Sequence, residues 1–260
     1  MAMAERIAME PESASVAARP KIVVIMPAYN AAETIERTFY DIPEGFADEV
    51  VVVDDASVDN TVEVARRLGV EVIEHPKNRG YGGNQKTCYA KALRNGPQII
   101  VMLHPDYQYD PKKMPELVAP IIAGEADVVF GSRLMEGGAL RGGMPFYKYL
   151  GNRFLTAVEN LVLGLRFSEL HTGLRAYRRE VLERIPLNEN SDDFVFDSQI
   201  IAQVVYYGFR MAEIPVECRY MPEASSIGLK RSIKYGLSTL VVLGELLLHR
   251  WGVHRSPRFA

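Results

Sequence analysis

The chain has 260 residues, 48% of them hydrophobic, with 33 acidic against 30 basic side chains and a net charge of −3. That length suits one large α/β domain with a sizeable core, and the hydrophobic share excludes global disorder. The slightly acidic total argues against a general nucleic-acid binder. Charge is unevenly spread, however. From Gly228 to Ala260 six Lys/Arg stand against Glu245 alone, giving +5 and leaving −8 on the preceding residues. A basic tail on an acidic body points to an anionic membrane surface as partner.

Cys88 and Cys218 form no CxxC or metal-like pair, as expected of reduced thiols in a cytoplasmic protein. Residues 1–20, rich in Ala, Glu, Ser and Pro and without an apolar core, predict a disordered leader and not a signal peptide. No stretch reaches the ~18–20 apolar residues needed to cross a bilayer.

In chain order, Lys21 to Met26 reads as a first strand stopped by Pro27, followed by a helix over Ala31–Tyr40 with Asn30 and Glu33 at capping-box spacing. Glu49 to Val53 is a second strand ending in Asp54-Asp55, and Asp59 caps a helix over Asn60–Leu68. A short strand at Val70–Ile73 and a Gly-rich turn, Asn78 to Gly83, lead into a helix that runs to Ala92. The apolar run Ile99–Leu103 reads as a buried parallel strand that must leave the sheet at Pro105. Alternating strands and helices at this spacing predict an α/β fold, a right-handed and mostly parallel sheet with helices on both faces.

Beyond it come a helix over Lys112–Ala123, a strand at Asp127–Phe130 and a mobile Gly-rich loop around Gly137–Gly143. Phe146–Leu165 is a helix with a regular apolar stripe, and His171–Arg175 a polar turn before a short helix. Phe194–Tyr207 is a further helix, Met211–Val216 a strand, and Leu229–His249 an amphipathic C-terminal helix. The expected organisation is a leader to residue 20, a domain over 21–220 and a basic amphipathic tail over 221–260.

Ligands of open α/β sheets bind at the carboxyl ends of the strands. Three loops meet that edge: Pro27-Ala28-Tyr29-Asn30, Asp54 to Asp59, and His104-Pro105-Asp106-Tyr107-Gln108. An imidazole, a carboxylate and an amide oxygen at His104, Asp106 and Gln108 suit a divalent cation that also holds phosphates. His104 reads equally well as a strand-end histidine with no ligand role. Asp59 reads as a cap, whereas Asp55 leans towards ligand contact.

The motifs P-A-Y-N, V-D-D-A-S-V-D-N-T, N-R-G-Y-G-G-N, D-Y-Q-Y-D-P and Gly131-Ser132-Arg133, in that order, resemble the inverting family 2 glycosyltransferases of the GT-A fold. The dolichyl/polyprenyl-phosphate mannose and glucose synthases are the nearest branch. The resemblance spans Lys21 to about Tyr220. It implies a UDP- or GDP-linked sugar donor, a divalent metal (Mn²⁺ or Mg²⁺) and a polyprenyl phosphate or other lipid-linked acceptor. By the same resemblance Pro27, Ala28, Tyr29, Asn30, Asp54, Asp55 and Gly83 line the nucleotide-sugar site, and Asp106 and Gln108, with His104, reach metal and diphosphate. Arg133 and Arg175 meet phosphate, and Asp197 lies near the acceptor.

Three positions depart from the family pattern: His104 replaces the first acid of Asp-x-Asp, Ala31 a glutamate, and Thr172-Gly173-Leu174 a Ser-Gly-Phe. A phosphate acceptor, ionised near neutral pH, needs no strong base. It needs cations, for which Arg133, Arg175, Lys148 and Arg153 are candidates. A hydroxyl acceptor needs a base, for which Asp197 or Asp193 would stand. Both readings place the enzyme on the cytoplasmic side, peripherally attached to membrane, and a homodimer is compatible with the sequence.

Overall fold

The computed structural model describes residues 19–220 and 228–260. The leader expected up to residue 20 therefore lies, save for Arg19 and Pro20, outside the described residues, as do positions 221–227 of the expected tail. Seven strands, β1 (Ile22–Ala28), β2 (Glu49–Asp54), β3 (Glu71–Glu74), β4 (Ile99–Met102), β5 (Val128–Ser132), β6 (Arg175–Arg178) and β7 (Met211–Pro215), form one sheet. Its order is β3-β2-β1-β4-β6-β5-β7. All neighbours are parallel except β6, which runs antiparallel to both β4 and β5.

Helices cover both faces, as the alternating pattern predicts. Along β1 the side chains divide strictly. Val23 and Ile25 join a core with Cys88, Tyr89 and Ala92 of α3 (Tyr81–Arg94). That core also takes in residues of α6 (Phe146–Leu163), α7 (Arg179–Arg184), α8 (Phe196–Tyr206) and α9 (Leu229–Arg250). Ile22, Val24 and Met26 join the opposite core with α1 (Ile35–Tyr40), α2 (Thr61–Arg67) and α4 (Met114–Ile122). Period-two alternation feeding two apolar layers is what a central parallel strand requires, and each aliphatic fully buried this way stabilises the fold by about 1.5–3 kcal/mol. Among the described residues no helix is long and apolar enough to cross a membrane.

The structure differs from the sequence expectations at four places that matter. β1 continues through Pro27 to Ala28. Ile25 O accepts from Leu103 N and Ala28 O from Asp55 N, so alternation aims Pro27's missing N–H at β4, which has already ended. The first helix starts at Ile35, not Ala31. Asn30 has φ +49° and its side chain accepts from Val58 N, while Asp59 takes Ala32 N, so contacts between neighbouring loops displace the local capping box. Arg175–Arg178, inside what reads as turn and helix, is a strand. The Gly-rich loop expected to be mobile folds into short helical turns, among them α5 (Gly138–Arg141).

Asp127 clamps the sheet's far side. Its carboxylate accepts from Arg210 N, Nε and a terminal nitrogen at 2.8–3.1 Å and faces Arg178. The Arg210 hydrogen bonds hold its pKa below the ordinary aspartate value. A depressed carboxylate stabilises the fold above its unfolded pKa and loses that contribution as pH falls through the folded one. Asp127→Asn should therefore lower Tm at pH 7, and the gap to wild type should close as pH falls below about 4, read by thermal denaturation across pH.

Candidate active site

The carboxyl ends of β1, β2, β4 and β5 share one edge of the sheet, and β6 starts there: Met102 pairs with Arg175, and Arg175 with Phe130. The antiparallel insertion thus brings the 171–175 loop beside the 104–110 loop. They touch closely. A Cβ on Gly173 would lie 2.5 Å from the His104 ring, so this position excludes any side chain, and Gly173 N donates to Tyr109 Oη at 2.7 Å.

At the centre stands Asp197. Its Oδ2 accepts from Tyr81 Oη at 2.9 Å and lies 3.0 Å from a terminal nitrogen of Arg175, and its Oδ1 accepts from Gln85 Nε2 at 3.2 Å. Burial opposes charge on Arg175, yet Asp197 and the hydroxyls of Tyr177, Tyr81 and Tyr89 hold it firmly protonated. His104 Nε2 lies 3.2 Å from Tyr81 Oη, with the two rings stacked. Burial depresses the pKa of His104, against the pull of Asp106 and Asp197, so the ring is neutral. Nδ1 is then the ring nitrogen left for a cation. Burial, reinforced by Asp197, raises the Tyr81 hydroxyl well above the usual range, so it stays a donor.

Asp106 sits at the mouth of this cluster, half-buried, its Oδ1 accepting from Gln108 N at 3.1 Å. Tyr107 adopts φ +58° between the guanidinium groups of Arg37 and Arg219, and its hydroxyl donates to Asp41. These contacts fix the loop. Among the described residues no group of three or more His, Cys, Asp or Glu side chains is gathered to hold a metal. The donors at hand are one carboxylate and the Gln108 amide, a set that fits a hard cation completed by substrate phosphates.

The loops expected to line a nucleotide-sugar site are held largely by their own contacts. Asp55 is buried, its carboxylate accepting from Arg79 N and Gly80 N and lying 2.7 Å from His75 Nδ1. Asp54 accepts from Ser57 N and the Ser57 hydroxyl. Pro27 and Ala28 end β1, whereas Tyr29 is exposed beside them. Gly83 faces the protein's own backbone: the amides of Gly82 and Gly83 donate to Asp192 O, and a Cβ on Gly82 would lie 2.4 Å from Ser191 O. The glycines admit this chain segment.

Both arginines are buried behind the crevice. Arg133 grips the fully buried Glu169 through Nε and a terminal nitrogen, and donates to His171 O and Tyr220 Oη. Arg175 is completely buried, with Nε on Thr172 O and the guanidinium over Phe130. Glu169 thus faces Arg133 and Asp197 faces Arg175 within the protein, while both terminal nitrogens of Arg175 are left without a hydrogen-bond partner among the described residues. The acids responsible, Glu169 and Asp197, are remote in sequence, and nothing local marks Glu169. Tyr81, Gln85, His75 and His171 were likewise missed as site residues, although Tyr81 lies inside the N-R-G-Y-G-G motif. His171 ties the loop to two helices, with Nδ1 2.7 Å from Tyr235 Oη and Nε2 2.9 Å from Glu159.

Comparisons with known proteins agree with this architecture. The chain is 32% identical over 210 residues to an uncharacterized protein, MJ1222, of Methanocaldococcus jannaschii, covering 81% of this chain and 86% of that one. It is 28% identical over 216 residues to the polyprenol monophosphomannose synthase of Mycolicibacterium smegmatis, covering 79% and 80%. The crystal structure of glucosyl-3-phosphoglycerate synthase from Mycobacterium tuberculosis with Mg²⁺ and UDP superposes with a TM-score of 0.67 at 22% identity, covering 91% of this chain and 81% of that one. At that identity it speaks for the GT-A fold. Residues 23–186 match the profile "Glycosyl transferase family 2". With well over half of the chain matched, this protein belongs to glycosyl transferase family 2.

Proposed function

We propose that the protein transfers a sugar, with inversion, from a UDP- or GDP-linked donor to a polyprenyl phosphate at the cytoplasmic face of a membrane. The observation that carries this reading is the state of Asp197. Its oxygens are engaged by Arg175, Tyr81 and Gln85. Both oxygens are thus turned to the protein's own hydroxyl, amide and cation, and neither is left to take a proton from an acceptor. An acceptor hydroxyl would need a base, whereas a phosphate monoester is already ionised near pH 7. Relatives named for polyprenol and dolichyl phosphate acceptors support the same choice.

Asp106 and Gln108, with Nδ1 of His104 within the same loop, hold the divalent cation together with the donor diphosphate. When bound, the cation offsets the charge that builds on the leaving nucleotide diphosphate. Tyr29 covers the base, and Pro27, Ala28, Asn30, Asp54 and Asp55 shape the nucleoside loops around it. Lys148 meets the acceptor phosphate. It has no ion-pair partner among the described residues, and burial, with Arg133 behind it, lowers its pKa. An amine so placed gains most from an arriving anion. Arg133 and Arg175 hold the loops that shape the crevice.

The test is release of nucleotide diphosphate by purified protein given UDP- and GDP-sugars, Mn²⁺ or Mg²⁺, and a short polyprenyl phosphate. Release requiring both cation and lipid phosphate is expected. Release with a saccharide alone would favour a hydroxyl acceptor.

Membrane attachment is the second part of the proposal. Phe146, Tyr147, Leu150 and Phe154 on α6 are half or more exposed, as is Trp251 after α9, and α6 and α9 meet where Gly236 admits Leu155. Lys230, Arg231, Lys234 and Arg250 flank them. Apolar side chains with basic neighbours suit an anionic interface. The protein should sediment with anionic vesicles at low salt and be released as the Debye length shrinks from about 30 Å at 0.01 M to about 10 Å at 0.1 M; a protein that stays in the supernatant at low salt refutes the attachment.

A further inference from the structure

A groove of about 620 Å³ runs between α9 and the segment entering α8, within the ~300–1,000 Å³ typical of small-ligand sites. It is formed wholly by residues after 190, outside the stretch matched by the family profile. Ile233, Leu237 and Val241, spaced by one helical turn, form one wall with Val242, and Val195 faces them. The first three are 56%, 61% and 69% exposed. Single exposed aliphatics are ordinary, but a continuous row along a groove marks a docking surface.

The two ends differ in charge. Lys230 and Lys234 lie at one end. Lys234 Nζ is 2.6 Å from Asp193, whose neighbour Phe194 stacks on Tyr81, the residue that donates to Asp197. That end therefore opens beside the active site. Lys230 has no ion-pair partner among the described residues. At the other end Arg258 pairs with Glu245 at 2.6 Å, and Ser256 donates to the same carboxylate, so the charges there cancel. From Lys230 to Glu245 the helix spans about 22 Å. Cations at the site end and an aliphatic run behind them complement a molecule with an anionic head and a long apolar tail.

We propose that this groove seats the isoprenoid chain next to the phosphate of the lipid acceptor. The inference rests on the polyprenyl-phosphate reading above, and it adds a chain-length selector to it. Lipid leaves the bilayer along α9, and its first isoprene units lie against Leu237 and Val241.

The experiment compares kcat/KM for a short and a long polyprenyl phosphate, both dispersed in detergent without vesicles, in wild type, Val241→Trp and Leu237→Trp. Both substitutions fill the groove yet keep the surface apolar, and thermal denaturation checks that they fold. The long-to-short ratio should fall about tenfold or more, the scale on which apolar pockets discriminate. An unchanged ratio in folded variants overturns the groove, as does a concentration-dependent dimer in which the groove residues are covered. If wild type turns over no polyprenyl phosphate of any length, the functional reading falls. The groove is then read by calorimetric titration with the long polyprenyl phosphate, and binding that the two variants do not weaken overturns it.

Discussion

Asp106→Ala should remove metal-dependent release of nucleotide diphosphate while leaving the protein folded. The loss should reach about 10²–10³-fold in kcat, the cost of removing one preorganised group at a developing charge. The carboxylate is half-buried and is oriented by the amide of Gln108. Its loop is fixed independently, by Tyr107 between Arg37 and Arg219 and by the pairing of Tyr109 with Cys218. On the proposed role the substitution deletes a cation ligand while the loop keeps these other contacts, and its effect on stability should stay within about 1 kcal/mol. Single-turnover release and thermal denaturation, measured on the same preparation, separate the two. Full activity in Asp106→Ala would move the cation elsewhere. Restoration by Asp106→Glu at raised Mn²⁺ would confirm coordination.

Asp197→Asn tests the other half of the mechanism. The change keeps the side chain's shape but leaves the fully buried Arg175 without its counter-charge. Breaking a buried pair from one side costs about 3–5 kcal/mol, so a marked fall in Tm is expected. Activity should then follow the folded fraction, with the pH–rate profile of the surviving enzyme unshifted. A base would add to that loss a drop of about 10²–10⁴-fold in kcat of the folded enzyme, with loss of the acidic limb of the profile. Replacing both partners, as Arg175→Met with Asp197→Leu, should recover much of the stability lost in Asp197→Asn, because no unpaired charge then remains buried.

Much of this architecture is legible in the chain. The apolar runs of β1, β2 and β4 sit at the centre of the sheet, buried on both faces, so they need no tertiary information to be recognised. The breaks after them, at Tyr29-Asn30, Asp54-Asp55 and Pro105-Asp106, mark the ligand edge for the same reason: a parallel sheet binds where its strands end. The motif order and the relatives agree on the family.

What the chain alone could not decide lies in the contacts between distant segments. Arg175-Ala176-Tyr177-Arg178 is too short and too charged to announce a central strand, yet its insertion between β4 and β5 carries Thr172 to Arg175 to the active edge. The Gly-rich turn before α3 gives no sign in sequence that Gly82 and Gly83 pack against Ser191 and Asp192. Most of all, an arginine in a sequence is only a positive charge. Whether it meets substrate or is held by its own protein depends on which acids fold against it, and Glu169 and Asp197 come to Arg133 and Arg175 only through the tertiary structure. Local pattern reflects burial and backbone preference, which act over a few residues; charge pairing in a buried site is set by the whole fold.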